Sequence, residues 1–102
     1  MTTAYITIGN SDDKLTQNRW SHYVVAVDLA VRDAVSAGAI VHFHGFSPPS
    51  APWQNAMWVV ELPADVLVGE HLRSCLRRIA RAFYQTSIAW ATTEKVEFLA
   101  GT

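Results

Sequence analysis

The chain has a single cysteine, Cys75, among 102 residues, so no disulfide can form within it. This agrees with a reducing compartment. No run of apolar residues approaches the roughly 20 that a membrane-spanning helix needs. Met1–Tyr5 has neither the basic segment nor the long apolar segment of a secretory signal peptide. We therefore expect a cytoplasmic protein.

Charged residues are also scarce, at 17% of the chain, compared with about 25% in a typical soluble domain. The net charge of −1 gives no general attraction for nucleic acid or for an anionic membrane. Half of the residues are hydrophobic, which is enough for one core and leaves apolar surface for an interface. These properties favour a single domain over residues 1–102 that forms a homodimer.

Motifs of high chemical specificity are missing as well. Gly9 alone does not make a glycine-rich phosphate loop, and no serine lies in a nucleophile-elbow pattern. Cys75 lies beside the apolar stripe of a predicted helix, where we expect an inert, buried thiol. We expect no cofactor and no catalytic residues, and an enzyme is the less favoured class.

The chain does contain two amphipathic helical stretches separated by short β-prone runs. Trp20, Val24, Val27 and Val31 recur at helical spacing. The predicted order is strand, helix, strand, strand, helix, strand, which is typical of an α+β, ferredoxin-like βαββαβ two-layer sandwich with both helices on one face of an antiparallel sheet. The predicted strands are Ala4–Ile8, Ala39–Phe46, Ala56–Leu62 and Ser87–Ala91. The first helix is predicted between the caps Thr16 and Gly38, and the second over Val66–Tyr84, after the cap Asp65. Val96–Leu99 either extends the last strand or forms a further edge strand.

Alternation along the strands predicts which side chains face the helices. We expect Ile6, Ile8, Val41 and Phe43 on the helix side, together with Ile88 and Trp90. Tyr5, Thr7, His42 and His44 would then lie on the open face of the sheet. The third strand is apolar on both sides, so its register, and the face taken by Trp58, Val60 and Glu61, stay open.

Two segments are candidates for ligand binding. His42 and His44 are two residues apart on a strand, a spacing that suits two ligands of one zinc ion or a base with a helper, although no third ligand lies nearby and we expect no metal. In the turn from Asn10 to Lys14, Asp12 and Asp13 could bind a cation and Ser11 and Lys14 an anion; a solvated turn is the commoner interpretation. The predicted ligand site, for a small molecule or nucleotide on the sheet face of a dimer, comprises Tyr5, Asn10, Ser11, Asp12, Lys14, His42 and His44.

Arginines are concentrated in the second predicted helix, which holds half of the chain's eight basic residues. Their spacing by four predicts a basic ridge, for an acidic protein partner or for phosphates, unless it is only a solvated helix face. Trp53 lies in a proline-rich loop, where an indole serves either as an interface anchor or as a cover for the sheet edge. The predicted partner-binding residues are Trp53, Gln54, Arg73, Arg77, Arg78 and Arg81.

Three segments, Ile8–Gln17, Ala51–Ala56 and Ser87–Trp90, together resemble a family of small uncharacterised proteins from actinobacteria and their phages. The resemblance covers about Tyr5 to Phe98. It implies a bacterial or host-cell cytoplasm and an accessory role, such as binding a host factor or countering a host defence. It implies no activity and no catalytic residues.

The favoured hypothesis is therefore a small non-enzymatic protein that acts by binding a host or cellular protein. Two alternatives stay open. One is a small-molecule or nucleotide binder, with or without enzymatic activity, that has a pocket on the open sheet face of a dimer. The other, which the missing aromatic signature of RNA-binding domains makes less favoured, is a non-specific nucleic-acid binder that uses the arginine ridge.

Overall fold

A computed structural model describes residues 2–10, 14–48, 53–95 and 97–101. Within them lie four strands and two helices in the predicted order: β1 Thr2–Gly9, α1 Gln17–Ser36, β2 Ile40–Phe46, β3 Asn55–Leu62, α2 Val66–Ala82 and β4 Ala89–Thr93. The strands form one sheet in the order β2-β3-β1-β4, with every neighbouring pair antiparallel. Both helices pack on one face of this sheet, so the α+β, ferredoxin-like prediction is confirmed.

The helix ends are where local sequence signals predict them. The Thr16 side chain accepts a hydrogen bond from the Arg19 amide at 3.2 Å, and the Asp65 side chain accepts one from the Leu67 amide at 3.0 Å. Gly38 has φ of 110°, a conformation that glycine adopts without steric cost, and its amide donates to the Val35 carbonyl as α1 ends.

The core lies between the sheet and the two helices. In β3, residues with even numbers are buried and those with odd numbers are partly exposed, which fixes the register that the sequence left open. Trp58 is paired with Ile6 of β1 and is fully buried on the helix side, as is Val60, whereas Glu61 lies on the open face. The core residues are Ala4, Ile6, Ile8, Leu15, Trp20, Tyr23, Val24, Val27, Val31, Ala34, Ala39, Ala56, Trp58, Val60, Leu62, Leu72 and Leu76, with Ile88 and Trp90 packed against them as predicted.

A β-bulge in β2 changes the predicted faces of its side chains. His42 is an extra residue between Val41, which pairs with Val60, and Phe43, which pairs with Val59. Because side chains alternate along a strand, one extra residue inverts the face of every residue that follows. The prediction that Phe43 faces the helices is therefore wrong; its side chain is 51% exposed on the open face.

The last strand also differs from its prediction. β4 begins at Ala89, two residues later than expected. Residues 97–99 form no strand, so neither alternative for Val96–Leu99 holds over its described residues; Val96 itself lies outside them.

Across the part of the chain that the structure describes, neither helix has the length and apolar character to cross a membrane.

Candidate functional site: a groove between the second helix and the last strand

A groove with a volume of about 480 Å³ runs between α2 and β4. Arg73, Arg77 and Arg81 form its helical wall, because residues four apart share one face of a helix. Ser87 and Trp90 lie on the opposite wall, and no described residue that lines this part of the groove is acidic. We call it the arginine half of the α2–β4 groove.

The guanidinium groups of this half are available to an incoming anion. Arg73 lies over the indole ring of Trp90, with its Cζ atom 5.6 Å from the ring centroid, a cation–π arrangement that holds the side chain against the groove. Among the described residues, neither Arg77 nor Arg81 has an ion-pair partner. Arg77 and Arg81 therefore place two positive charges without ion-pair partners on this wall, and Arg73 lies at its end.

The groove continues past Arg73 and Trp90 into a second cavity of about 540 Å³ with the opposite charge. Its lining includes Glu70 of α2 and Glu94, which follows β4. Asp65 also contributes, although its carboxylate already caps α2. We call this part the acidic half. The whole groove is thus polarised along its length, from arginine to glutamate.

Sequence reasoning found the arginines but not the groove. Ser87, Trp90 and Glu94 were not connected with them, because these residues are adjacent to the arginines only once α2 packs beside β4. One signal was present: a ferredoxin-like order requires the last strand to lie under the second helix. Arg78 is not part of the groove; it projects from another side of α2 and donates a hydrogen bond to the Cys75 sulfur at 3.2 Å.

The two strand histidines do not form a shared site. The ring of His42 hydrogen-bonds the Glu61 carboxylate at 3.2 Å on the open face. The ring of His44 instead stacks on Trp58 on the helix side, with centroids 4.4 Å apart and planes within 12°. The interpretation that both imidazoles project to one side is therefore wrong, and the bulge at His42 is the reason.

His44 and Trp58 belong to a packed polar contact with α1. Trp58 Nε1 donates to Asp28 at 3.1 Å, and Arg32 Nε donates to the same carboxylate at 2.8 Å. Burial alone would raise the pKa of Asp28, but these hydrogen bonds and the charges of Arg32 and His44 outweigh it and lower the pKa. The cluster thus anchors β3 to α1, a structural role.

The turn from Asn10 to Lys14 is only partly described, since Ser11, Asp12 and Asp13 lie outside the described residues. Asn10 is 4% exposed, and all of its side-chain polar atoms are used within the fold. Its amide nitrogen donates to the Leu15 carbonyl and to Gln54 Oε1, and its oxygen accepts from the Leu15 amide. The Asn10 side chain therefore holds Leu15 and Gln54 in place. Its polar atoms all have partners within the fold, so they do not support the predicted role in ligand binding. Lys14 is exposed.

The other predicted binding residues lie apart from the groove. Tyr5 is on the open face of the sheet, in register with Val59. Trp53 is 52% exposed beside β3, whereas the arginines flank β4 at the opposite edge of the sheet. Gln54 holds Asn10 and donates to Gln17 at 2.8 Å, so it acts within the fold. The predicted partner surface is thus divided between two edges.

Cys75 is partly exposed rather than buried as expected. Its sulfur lies 3.6 Å from His71 Nε2, and the same ring nitrogen is 3.4 Å from Asp33 Oδ2. A catalytic relay needs the two ring nitrogens of the histidine to serve different partners, and here one nitrogen faces both. Within residues 2–10, 14–48, 53–95 and 97–101, no three His, Cys, Asp or Glu side chains form a metal-binding group.

Comparison of the chain with protein-family models and with curated proteins gives no match. The similarity to the actinobacterial and phage family therefore stays a prediction.

Proposed function

We propose that this chain is a non-enzymatic binding protein that acts by occupying a partner protein, and that the α2–β4 groove receives a charged segment of that partner. The supporting observation is the polarity of the groove, with Arg73, Arg77 and Arg81 in one half and Glu70 and Glu94 in the other. Complementary charge patterns of this kind steer association and select partners.

The polarity favours a protein over a nucleic acid. A nucleic acid presents phosphates of one sign along its whole length. Phosphates placed along the groove would meet three arginines and then the carboxylates of Glu70 and Glu94, which repel them. A protein segment can change sign where the groove does. In the setting that the family resemblance implies, the partner is a host protein.

The test is partner capture with single-residue variants of the chain. The immobilised protein is exposed to a nuclease-treated lysate of an actinobacterial host, and retained proteins are weighed by intact-mass analysis. We expect one stoichiometric partner, with affinity about tenfold lower for Arg77→Gln, because one charge-assisted contact is worth about 1.4 kcal/mol or more. Arg78→Gln is the matched control: it removes the same charge at the next position of α2, outside the groove.

Retention of no protein, or equal retention by wild type and Arg77→Gln, would contradict the proposal. Retention that occurs only from a lysate without nuclease treatment, with a steep dependence on salt, would establish the nucleic-acid alternative instead.

A second property that we propose is a homodimer formed through the open sheet face. This face exposes Tyr5, Ile40 and Phe43. Its ionisable side chains in the described strands are His42 and Glu61, and the His42 ring hydrogen-bonds the Glu61 carboxylate, so this carboxylate already has a partner within its own subunit. Apolar area of this kind is typical of surfaces that a second subunit covers.

Sedimentation at micromolar concentration tests the dimer. We expect wild type to sediment as a dimer and Phe43→Lys as a monomer, because a lysine at a buried interface carries an unpaired charge. Leu29→Lys is the control, since Leu29 is an exposed apolar residue of α1 on the other side of the molecule. A monomeric wild type, or a dimeric Phe43→Lys variant, would refute the proposal.

The small-molecule alternative has less support, because its predicted residues are dispersed. His44 lies on the helix side, Asn10 is committed to its turn, and only Tyr5 and His42 of the described set lie on the open face.

A further inference from the structure

A turn at the end of α2 folds the chain back against the helix face that carries the arginines. Tyr84 has φ of 56°, which lies in the left-handed region. Its amide donates to the Arg81 carbonyl at 3.2 Å, and the Gln85 amide donates to the Ala80 carbonyl at 2.8 Å, the pair of hydrogen bonds that defines a Schellman motif. This motif sets the path of the residues that follow, from Gln85 to Ile88, along the arginine half of the α2–β4 groove.

Four residues whose side chains donate hydrogen bonds line this end of the groove. Arg77 and Arg81, about one helical turn apart, lie on one wall, and Thr86 and Ser87 lie on the other. In the described part of the chain, neither hydroxyl has a hydrogen-bond partner, and neither guanidinium group has a hydrogen-bond, ion-pair or aromatic partner. Two cations at this spacing on a helix repel each other. An anion between the two walls would relieve that repulsion and accept hydrogen bonds from both sides.

The number of donors favours a phosphate monoester over a carboxylate as this anion. A carboxylate has one negative charge and two acceptor oxygens. A phosphate monoester carries up to about two negative charges near neutral pH and has three strong acceptor oxygens. Guanidinium groups bind phosphate oxygens through paired, charge-assisted hydrogen bonds. Two guanidinium groups and two hydroxyls therefore match one phosphate better than one carboxylate.

The charge pattern of the groove selects a single phosphate. Beyond Arg73 the lining changes sign, with the carboxylates of Glu70 and Glu94, so a second phosphate placed there would be repelled. The midpoint between Arg77 and Arg81 lies about 14 Å from Glu70 along the helix axis, at 1.5 Å per residue. An extended segment covers this distance in about four residues. A segment that matches the groove thus has a basic residue about four positions from its phosphorylated residue.

We propose that the arginine half of the groove receives a phosphoserine or phosphothreonine of the partner segment, bound by Arg77, Arg81, Thr86 and Ser87. A basic residue of the same segment, about four positions away, meets the acidic half. The chain then binds its partner only after the partner has been phosphorylated, so association depends on that modification. This inference rests on the proposed function, since it names the chemistry of the segment that the α2–β4 groove receives.

The experiment is an NMR titration of the isotope-labelled protein with synthetic peptides. Two peptides of one composition carry a phosphoserine, with an arginine four residues before it in one and four residues after it in the other. Comparison peptides have serine or glutamate in place of the phosphoserine, and AMP serves as a free phosphate monoester. Arg77→Gln is the groove variant, and Arg78→Gln, which removes the same charge outside the groove, is the control.

We expect the phosphopeptides to shift signals of α2 and of residues 85–94, with one arginine placement binding more tightly, because the acidic half lies at one end of the groove. The glutamate peptide should bind at least about tenfold more weakly and the serine peptide more weakly still. Arg77→Gln should lower the affinity for the phosphopeptide about tenfold, because charge-assisted hydrogen bonds are lost, whereas Arg78→Gln should leave it unchanged.

Equal binding of the phosphoserine and glutamate peptides, no groove shifts at millimolar phosphopeptide, or binding of AMP as tight as that of the phosphopeptide would overturn the inference. Groove shifts that appear when the protein is concentrated without peptide would also overturn it, since a second copy would then occupy the groove. Partner capture from a phosphatase-treated lysate separates this inference from the proposed function. A partner that is retained there, with the same dependence on Arg77 but not on Arg78, removes the phosphate and leaves the proposed function intact.

Discussion

Trp58→Ala is expected to lower the free energy of unfolding by about 3 to 5 kcal/mol, the largest effect of any single substitution considered for this chain. Trp58 is fully buried between Ile6 of β1 and the helices, and its removal leaves a cavity that the surrounding core cannot fill. It also deprives Asp28 of a hydrogen-bond donor and His44 of its stacking partner. The measurement is chemical denaturation followed by circular dichroism.

Two variants separate the contributions of Trp58. Trp58→Phe keeps most of the ring volume and removes the N–H donor, so we expect a loss of about 1 to 2 kcal/mol. Trp53→Ala deletes an equally large side chain that is half exposed, and should change stability by no more than about 0.5 kcal/mol. A loss below about 1 kcal/mol for Trp58→Ala would mean that the indole is not the centre of the core.

The acid dependence of stability provides a second readout of the same contact. The lowered pKa of Asp28 contributes stability that is present above the unfolded-state pKa and is lost as the pH falls through the folded-state pKa. In Trp58→Phe one of the hydrogen bonds that lower this pKa is gone. We therefore expect the stability of that variant to fall less steeply in acid than the stability of wild type.

The parts of the fold that could be predicted from sequence are those set by local chemistry. Thr16 and Asp65 begin helices and Gly38 follows the end of one, because of hydrogen bonds and backbone angles within a few residues of each. The order of helices and strands followed from apolar periodicity together with turn and cap signals, and that order is typical of a ferredoxin-like sheet.

The sequence could not predict features that depend on one residue of register or on distant elements. Alternation placed His42 and His44 together, and the single extra residue of the bulge separates them onto two faces. The arginine ridge was visible as a spacing in α2, but the acidic half of the groove needs Glu94, which approaches Glu70 only through the packing of β4 beside α2. Sites built from one element are predictable; sites built from two elements need the structure.

Asn10→Asp is expected to be the second large effect, a loss of about 3 kcal/mol at neutral pH. The substitution replaces the amide nitrogen, which donates to the Leu15 carbonyl and to Gln54 Oε1, with an oxygen that faces both acceptors. It also puts a charge at a position that is only 4% exposed. Asn18→Asp is the control, because Asn18 lies exposed in the first turn of α1 and the same change there should alter stability by no more than about 0.5 kcal/mol.

The penalty of Asn10→Asp should depend on pH in a direction that identifies its cause. Burial and the two facing acceptors disfavour the ionised carboxyl, so its folded-state pKa is raised. The penalty is then smallest below the unfolded-state pKa, where the introduced carboxyl is protonated in both states, and it grows as the pH rises toward the folded-state pKa. Denaturation at acidic and neutral pH measures this difference. A variant as stable as wild type at neutral pH would show that the Asn10 amide is free to act outside the turn, and would restore the residue to the ligand-binding set that the sequence suggested.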